Sequence, residues 1–206
     1  MSQTSSSPYR EFKRKLQTFA QGQHGIRNPF VIAAVDPAVE HHVTDRLAAW
    51  AQECTEPPGL EGGVTVQPIW LDELLAQTDV YKLLTDLGGA ITELEDAVSP
   101  GERIVETMQD QLAKELVQEM IEYELSESQL ETQSHVVLLL NLGSLYPFTR
   151  ASELLDELDR RNVKSTIGIP FPGDVVGGKL SFFGGASRHY YPAHQIDGQI
   201  REVHLQ

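Results

Sequence analysis

The part of this chain that most resembles a motif of known chemistry is a glycine-rich stretch that follows an apolar run. Residues 173–180 read GDVVGGKL, which matches the G-x-x-x-x-G-K portion of a phosphate-binding loop. The next position of such a loop is Ser or Thr, which binds magnesium, and here it is Leu180. The loop also has to open a helix whose N-terminal amides hold the phosphates, whereas the KLSFF that follows has the composition of a strand. The stretch is therefore predicted to connect a hairpin rather than to bind a nucleotide.

Isolated polar residues give three weaker candidates. Asp36 follows a buried apolar run, where ligands of open α/β sheets bind, so it could be a metal ligand or a general base; Asp-Pro is also a common turn. His41 and Asp45 would share a helix face and could hold a metal, but no third ligand is evident. Ser144 lacks the G-x-S-x-G pattern of a nucleophile elbow. Because no set is complete, neither catalysis nor a cofactor is expected.

Composition restricts the classes of protein to which the chain can belong. Its 206 residues are enough for one α/β domain. Its net charge of -14 argues against binding of the main domain along a nucleic-acid backbone. An acidic surface suits a basic protein partner, or simply solubility. The single cysteine, Cys54, excludes an intramolecular disulfide and fits a reducing cytoplasm. No apolar run approaches the roughly 18 residues of a membrane span.

A strand–helix–strand unit in the C-terminal half must position the glycine-rich stretch. Val136–Leu140 is a continuous apolar run, typical of a strand buried on both faces. A segment with apolar residues at helical spacing follows and ends at Asn162. A second buried strand is predicted over Ser165–Phe171, stopped by Pro172 and Gly173. Two such strands are expected to be parallel neighbours joined by a right-handed crossover.

Strands alternate with helices through most of the remaining chain. The fold predicted from this order is an α/β, three-layer Rossmann-like sandwich, with a mainly parallel sheet and an antiparallel C-terminal edge. One domain is expected over residues 9–206, after a Ser-rich and disordered stretch over residues 1–8. The other predicted strands are Phe30–Val35, Val64–Ile69, Lys179–Phe183 and Tyr190–His194, and the other predicted helices are Ala38–Cys54, Leu71–Leu87 and one from Pro100 to about Tyr123. The tail after these elements fits neither period and stays unassigned.

The segment Tyr9–Ala20 is predicted to be a helix with two different faces. Phe12, Leu16 and Phe19 lie on one face, and the segment is also the most basic part of the chain, with Arg10, Lys13, Arg14 and Lys15. The favoured interpretation is a helix that docks on the domain through its apolar face. The alternative is a contact for an acidic partner or for nucleic acid, whose affinity would depend steeply on salt.

The C-terminal third resembles the BrxB family of bacteriophage exclusion (BREX) systems. The order of a Tyr-Pro-Phe, an FPG, an FG and a Tyr-Tyr motif is distinctive. The matching residues are Leu145-Tyr146-Pro147-Phe148, Arg150, Leu154, Leu155, Leu158, Pro170-Phe171-Pro172-Gly173, Gly178, Leu180, Phe183-Gly184, Tyr190-Tyr191 and Ala193. Asp36-Pro37 after the first strand is a looser match. The chain departs from the pattern at Val175, where an aromatic residue is expected, and at Pro192, where an arginine is expected.

The resemblance implies a small cytoplasmic component of a multi-protein anti-phage system. It implies a non-catalytic adaptor that binds the alkaline-phosphatase-like PglZ protein, the system's ATPase, or both. Phe148 and Phe171 are expected in the core. The candidate interaction residues are Tyr146, Arg150, Gly173, Asp174, Phe183 and Tyr190. The alternative is a Rossmann-like nucleotide-binding protein or enzyme with its site at the strand ends near Asp36, Gly143 and Gly173.

Overall fold

A twisted parallel sheet forms the centre of the fold. The computed structural model describes residues 7–22, 29–55, 64–87, 111–126, 129, 131–146, 149, 151–176, 179–182 and 193–205. Within them the strands are β1 (Phe30–Val35), β2 (Thr65–Trp70), β3 (His135–Leu140), β4 (Thr166–Val176), β5 (Lys179–Phe182) and β6 (His194–Ile200). Five of these form the sheet in the spatial order β2-β3-β4-β1-β6, and all its neighbouring strands are parallel. The apolar runs that predicted β1 and β3 are buried along their whole length.

Helices cover both faces of the sheet. In the described part of the chain they are α1 (Pro8–Ala20), α2 (Glu40–Thr55), α3 (Leu71–Leu75), α4 (Asp79–Leu87), α5 (residues 111–119, continuing into a π-helical turn at Met120–Glu124) and α6 (Ala151–Arg160). Short 3-10 turns follow three strands, at Pro37–Val39, Leu142–Leu145 and Glu202–His204. The start predicted for α5 lies outside the described residues. None of the helices described is both long enough and apolar enough to cross a membrane.

Two hydrophobic clusters fill the space between the three layers. Alternate residues of a strand point to opposite faces of the sheet, so Val31 and Val35 face one layer while Phe30 and Ile32 face the other. The first cluster joins the sheet to α1 and α2, and the second joins it to α3, α4, α5 and α6. The three-layer Rossmann-like α/β sandwich expected from the sequence is therefore confirmed.

The prediction of an antiparallel C-terminal edge is wrong. The edge strand β6 runs parallel to β1, with Val31 opposite His194 and Val35 opposite Ile200. Antiparallel pairing occurs between β4 and β5, which form a hairpin off the path of the five strands. Of the strand predicted over Tyr190–His194, residues 190–192 lie outside the described residues and only His194 belongs to β6. The end of β6, Asp197–Ile200, lies in the tail that stayed unassigned, where the residue pattern indicated neither a strand nor its direction. Ile196 and Ile200 both join the cluster under α1.

Strand β4 continues through Pro172 and Gly173, where the sequence predicted its end. Ile167 donates its N–H to Pro29 on the β1 side, so Pro170 and Pro172 have their nitrogens on the β3 side. The pairing of β4 with β3 ends at Gly168. Both prolines lie beyond the last residue of β4 that pairs with β3, so the hydrogen bond that proline cannot donate is not required there.

The helix predicted over Leu71–Leu87 is divided in two at Thr78. The Thr78 hydroxyl donates to the carbonyl of Leu75 at 2.8 Å and accepts from the N–H of Tyr81 at 3.2 Å. A threonine that bonds the backbone in this way competes with helix continuation and caps the following helix. The break turns α4, so that Tyr81 and Leu83, predicted as core residues, are 39% and 54% exposed.

Helix α1 docks on the sheet as the sequence predicted. Phe12, Leu16 and Phe19 are buried against the strands. The helix begins at Pro8, one residue before the predicted start, because the Ser7 hydroxyl accepts from the N–H of Arg10 and caps it. Residues 1–6 of the predicted disordered stretch lie outside the described residues.

Candidate interaction site at the carboxyl edge of the sheet

The carboxyl ends of the parallel strands meet at one edge, where α/β proteins bind their ligands. Asp36 follows β1, Asp72 lies just beyond β2, and Asn141 follows β3. Gly173 lies in the part of β4 that extends beyond the end of its register with β1. Since neighbouring strands are parallel, these residues come from distant parts of the sequence to the same edge.

A carboxylate from α2 bridges this edge. The N–H of Gly143 donates to Glu40 Oε1 at 2.9 Å, joining the start of α2 to the turn after β3. Burial raises the pKa of Glu40, the Gly143 N–H and His41 lower it, and the charge of Asp72 raises it. A Cβ added to Gly143 would collide with Glu40 Oε2, so the glycine allows the carboxylate to approach this closely. The amide at the end of β3 is therefore already bound to an anion, which belongs to the protein itself.

The turn after β3 is fixed by further hydrogen bonds. Asn141 adopts the left-handed conformation with φ 59°, which asparagine tolerates better than most residues. Its side-chain amide donates to Asp72 Oδ1 at 3.0 Å, and its carbonyl accepts from the Ser144 hydroxyl at 2.7 Å. The Ser144 hydroxyl, which was considered as a nucleophile, thus donates to the backbone of its own turn and has a structural role.

Tyr146 lies directly after this turn. Its N–H donates to the carbonyl of Gly143 at 3.2 Å, and its residue surface is 51% exposed, although Leu145 before it is fully buried. The backbone of this predicted interaction residue is therefore fixed while its aromatic side chain reaches the surface.

Gly173 and Asp174 have different roles at the hairpin. Gly173 is buried, and a Cβ there would collide with the backbone carbonyl of Ser181 on β5. Asp174 is exposed, and its Oδ1 accepts from the Gln199 side chain at 2.8 Å, while the same amide donates to the Gly173 carbonyl at 3.0 Å. Lys179 begins a strand, so the predicted hairpin is confirmed and no helix opens at this loop.

Of the candidate interaction residues, Tyr146, Gly173 and Asp174 are brought to the carboxyl edge. Arg150, Phe183 and Tyr190 lie outside the described residues, as does Phe148. The expectation that Phe171 belongs to the core is confirmed, since it is fully buried.

The remaining polar candidates have structural partners or lie on the surface. Asp36 Oδ1 accepts from the N–H of Ala38 at 3.0 Å and so caps the turn after β1. His41 and Asp45 are exposed on α2. Within the described ranges, no group of three or more His, Cys, Asp or Glu side chains could hold a metal ion.

Sequence reasoning missed Glu40 and Gln199, whose side chains form hydrogen bonds between distant segments at this edge. Glu40 bonds a residue 103 positions away, and Gln199 bonds Asp174 25 positions away. No local pattern marks either residue, since each bond depends on which strands become neighbours.

Comparison with known families gives one match. A family model described as "BREX protein BrxB" matches residues 76–196, which is more than half of the 206-residue chain. Searches of the curated proteins and of the solved structures give no match. The matched range contains β3, β4, β5 and the turn that presents Tyr146.

Proposed function

Because the chain belongs to the BrxB family of BREX phage-defence proteins, we propose that it is a non-catalytic adaptor that binds another component of the system through the carboxyl edge of its sheet. The expected partner is the PglZ-like protein, the system's ATPase, or both. Tyr146 and Asp174 are the described residues that we assign to this contact.

The hydrogen bond from Gly143 to Glu40 is the observation that best supports an adaptor over a nucleotide-binding enzyme. A Rossmann-like site offers free backbone amides at the strand ends to a phosphate. Here the amide after β3 is bound to a carboxylate that is supplied by α2. A phosphate would have to displace Glu40 to use the amide.

The charge of the edge favours the same choice. Asp36, Glu40, Asp72 and Asp174 all lie at the strand ends or just beyond them. Such a group of carboxylates repels an anionic ligand such as a nucleotide and attracts basic side chains of a protein. The acidic edge therefore suits a protein partner that presents lysine or arginine.

An exposed tyrosine on a fixed turn is well suited to a protein interface. Tyrosine is enriched among residues whose truncation costs the most binding energy, because its large ring loses little conformational entropy on binding. Tyr146 is half-exposed, and the backbone bonds of the turn hold it in place before a partner arrives.

The test is co-purification of the chain with separately expressed PglZ-like protein and ATPase, read by size-exclusion chromatography. A stable complex with either one is expected, and Tyr146→Ala should weaken it by about tenfold or more, the loss typical of an interface hot spot. Tyr81→Ala is the matched control, because Tyr81 is also a partly exposed tyrosine but lies on α4. It should bind as the wild type does.

Two results would count against the adaptor. One is the absence of a complex with either protein. The other is a rise in melting temperature on adding nucleotide and magnesium, which would indicate a ligand site in the folded protein. If Tyr146→Ala and Tyr81→Ala lost the same affinity for the partner, the contact would not be at the carboxyl edge, although the adaptor role would still hold.

A further inference from the structure

Helix α1 is a basic element in an acidic chain. It contains Arg10, Lys13, Arg14 and Lys15, which are four of the chain's 16 basic residues, but only one of its 30 acidic residues, Glu11. The net charge of the whole chain is -14. The positive charge of α1 is therefore a local feature that the rest of the surface does not share.

Lys13 connects α1 to α2 and gathers positive charge at their contact. Its ammonium group lies 4.9 Å from the centre of the Tyr9 ring and 5.6 Å from the centre of the Trp50 ring, so that cation–π contacts join the two helices. Burial lowers the pKa of Lys13, Glu53 and Cys54 raise it, and the charges of Arg10 and Arg46 lower it further. Arg10 precedes Lys13 by one turn of α1, and Arg46 precedes Trp50 by one turn of α2, so both arginines lie on the helix faces that the contact of Lys13 with Trp50 brings together.

Arg10 and Arg46 differ from three other described arginines, Arg14, Arg160 and Arg161, in how they are paired. Arg14 forms an ion pair with Glu11, and Arg160 and Arg161 both form ion pairs with Glu157. Among the described residues, the guanidinium groups of Arg10 and Arg46 form no ion pair, and both residues are exposed. The chain has an excess of carboxylates, yet neither guanidinium group is paired with one. Both can therefore donate bidentate hydrogen bonds to the carboxylates of a partner, next to the ammonium group of Lys13.

We propose that Arg10, Lys13 and Arg46 form a second docking surface, which binds a short acidic segment of a partner protein through its carboxylates. We call these three residues the α1–α2 basic patch. The patch lies on the α1–α2 layer, where Arg46 lines a depression together with His42, Asp45 and Glu202 beyond the end of β6. It shares no residue with the adaptor contact that we assign to Tyr146 and Asp174.

The surroundings of the patch favour a short acidic segment over a long polyanion. Glu53 acts on Lys13 electrostatically, and Asp45 is exposed beside Arg46 on α2. These carboxylates, together with the net charge of -14, repel a nucleic-acid strand that extends beyond the patch. A short segment avoids most of this repulsion, because charges farther away than the Debye length of about 8 Å at physiological salt are largely screened.

The test is fluorescence anisotropy of the purified full chain with a fluorescein-labelled octaglutamate peptide. The wild type should bind it, with an affinity that falls as salt rises. Arg10→Glu and Arg46→Glu should each weaken binding by about fivefold, because each replaces an attraction with a repulsion at an exposed site. Lys164→Glu is the matched control, since it makes the same charge change at an exposed residue before β4, and it should bind as the wild type does. Melting temperatures of all three variants should match the wild type.

Four outcomes would overturn the proposal. They are no binding of octaglutamate at low salt, an equal loss for Lys164→Glu, and tighter binding of a 20-base single-stranded or duplex DNA than of the peptide. The fourth is a concentration-dependent dimer that Arg10→Glu abolishes, because the occupant of the patch would then be a second copy of the chain. These results do not test the complex expected at the carboxyl edge, which is tested separately with Tyr146→Ala.

Discussion

The carboxylate of Glu40 lies 2.9 Å from the backbone nitrogen of Gly143 and accepts its N–H across the carboxyl edge of the sheet. Glu40 begins the helix of one outer layer, and Gly143 belongs to the turn that precedes the helix of the other. The bond therefore links the two layers at the edge where an α/β protein would otherwise have an open crevice.

If this bond stabilises the fold, the two residues should be energetically coupled. Gly143→Ala would displace Glu40 Oε2, and Glu40→Ala would remove the acceptor, so each should lower the free energy of unfolding by about 1 kcal/mol. The double variant should cost clearly less than the sum, since the same bond is lost in both. Urea unfolding measures all three. Additive costs would show that the bond contributes nothing, and Asp159→Ala, an exposed acid on α6, serves as the control.

Gly173→Ala should be more damaging than Gly143→Ala. At Gly143 the obstructing atom is the end of a flexible side chain, whereas at Gly173 it is the backbone carbonyl of Ser181, which cannot move without breaking the hairpin. We expect a loss of about 2–3 kcal/mol in the free energy of unfolding, in the upper part of the usual range for single substitutions. A loss no larger than that of Gly143→Ala would contradict the close contact of β4 and β5 at this point.

Docking of α1 should contribute strongly to stability. Phe12 is fully buried, so Phe12→Ala should cost about 3–5 kcal/mol, through lost burial and the cavity that it leaves. Arg10→Ala on the exposed face of the same helix should change the free energy of unfolding by about 0.5 kcal/mol or less. Chemical denaturation of both variants tests this pair. Similar small effects would mean that α1 is not part of the cooperative unit.

Stability should fall as the pH drops below neutrality, in part because of His135. This histidine is buried on β3 with its Nδ1 2.7 Å from Thr65 Oγ1, and burial lowers its pKa from the ordinary value of 6.5. Below pH 6.5 the unfolded chain takes up a proton that the folded chain does not, so stability that is present above that pH is lost as the pH falls.

NMR titration of the His135 ring in the native protein should therefore give a pKa below 6.5. His135→Gln should reduce the slope of unfolding free energy against pH between about 5 and 7, because the variant lacks the buried imidazole whose pKa is lowered. A native His135 pKa at or above the ordinary value would refute the explanation even if the Gln variant fails to fold.

The strands and the layers could be predicted because their signals are local. The apolar runs at Phe30–Val35 and Val136–Leu140 are bounded by polar residues and turn formers, and both lie in strands of the structure. The spacing of Phe12, Leu16 and Phe19 likewise identified the face by which α1 docks. Such a pattern can be recognised within one segment, because it shows which residues are buried without showing which other segment covers them.

Features that depend on neighbouring strands could not be predicted. Pro172 normally ends a strand, yet it is tolerated because the register with β3 has already stopped at Gly168. The parallel direction of β6 and the bond from Gly143 to Glu40 are decided by contacts between residues more than a hundred positions apart. The division of the helix at Thr78 was different, because it is a local capping effect that helical periodicity concealed.

The pairing of β1 with β6 has a consequence for synthesis of the protein on the ribosome. Val31 lies in β1, and its partner His194 is added to the growing chain more than 160 residues later. The open side of β1 therefore stays without its neighbour until β6 has been synthesised, and contacts of such long sequence separation slow folding. An uncovered strand edge of this kind is a site for wrong pairing between chains. Nascent chains that are stalled before β6 should consequently depend on chaperones more than the finished protein does.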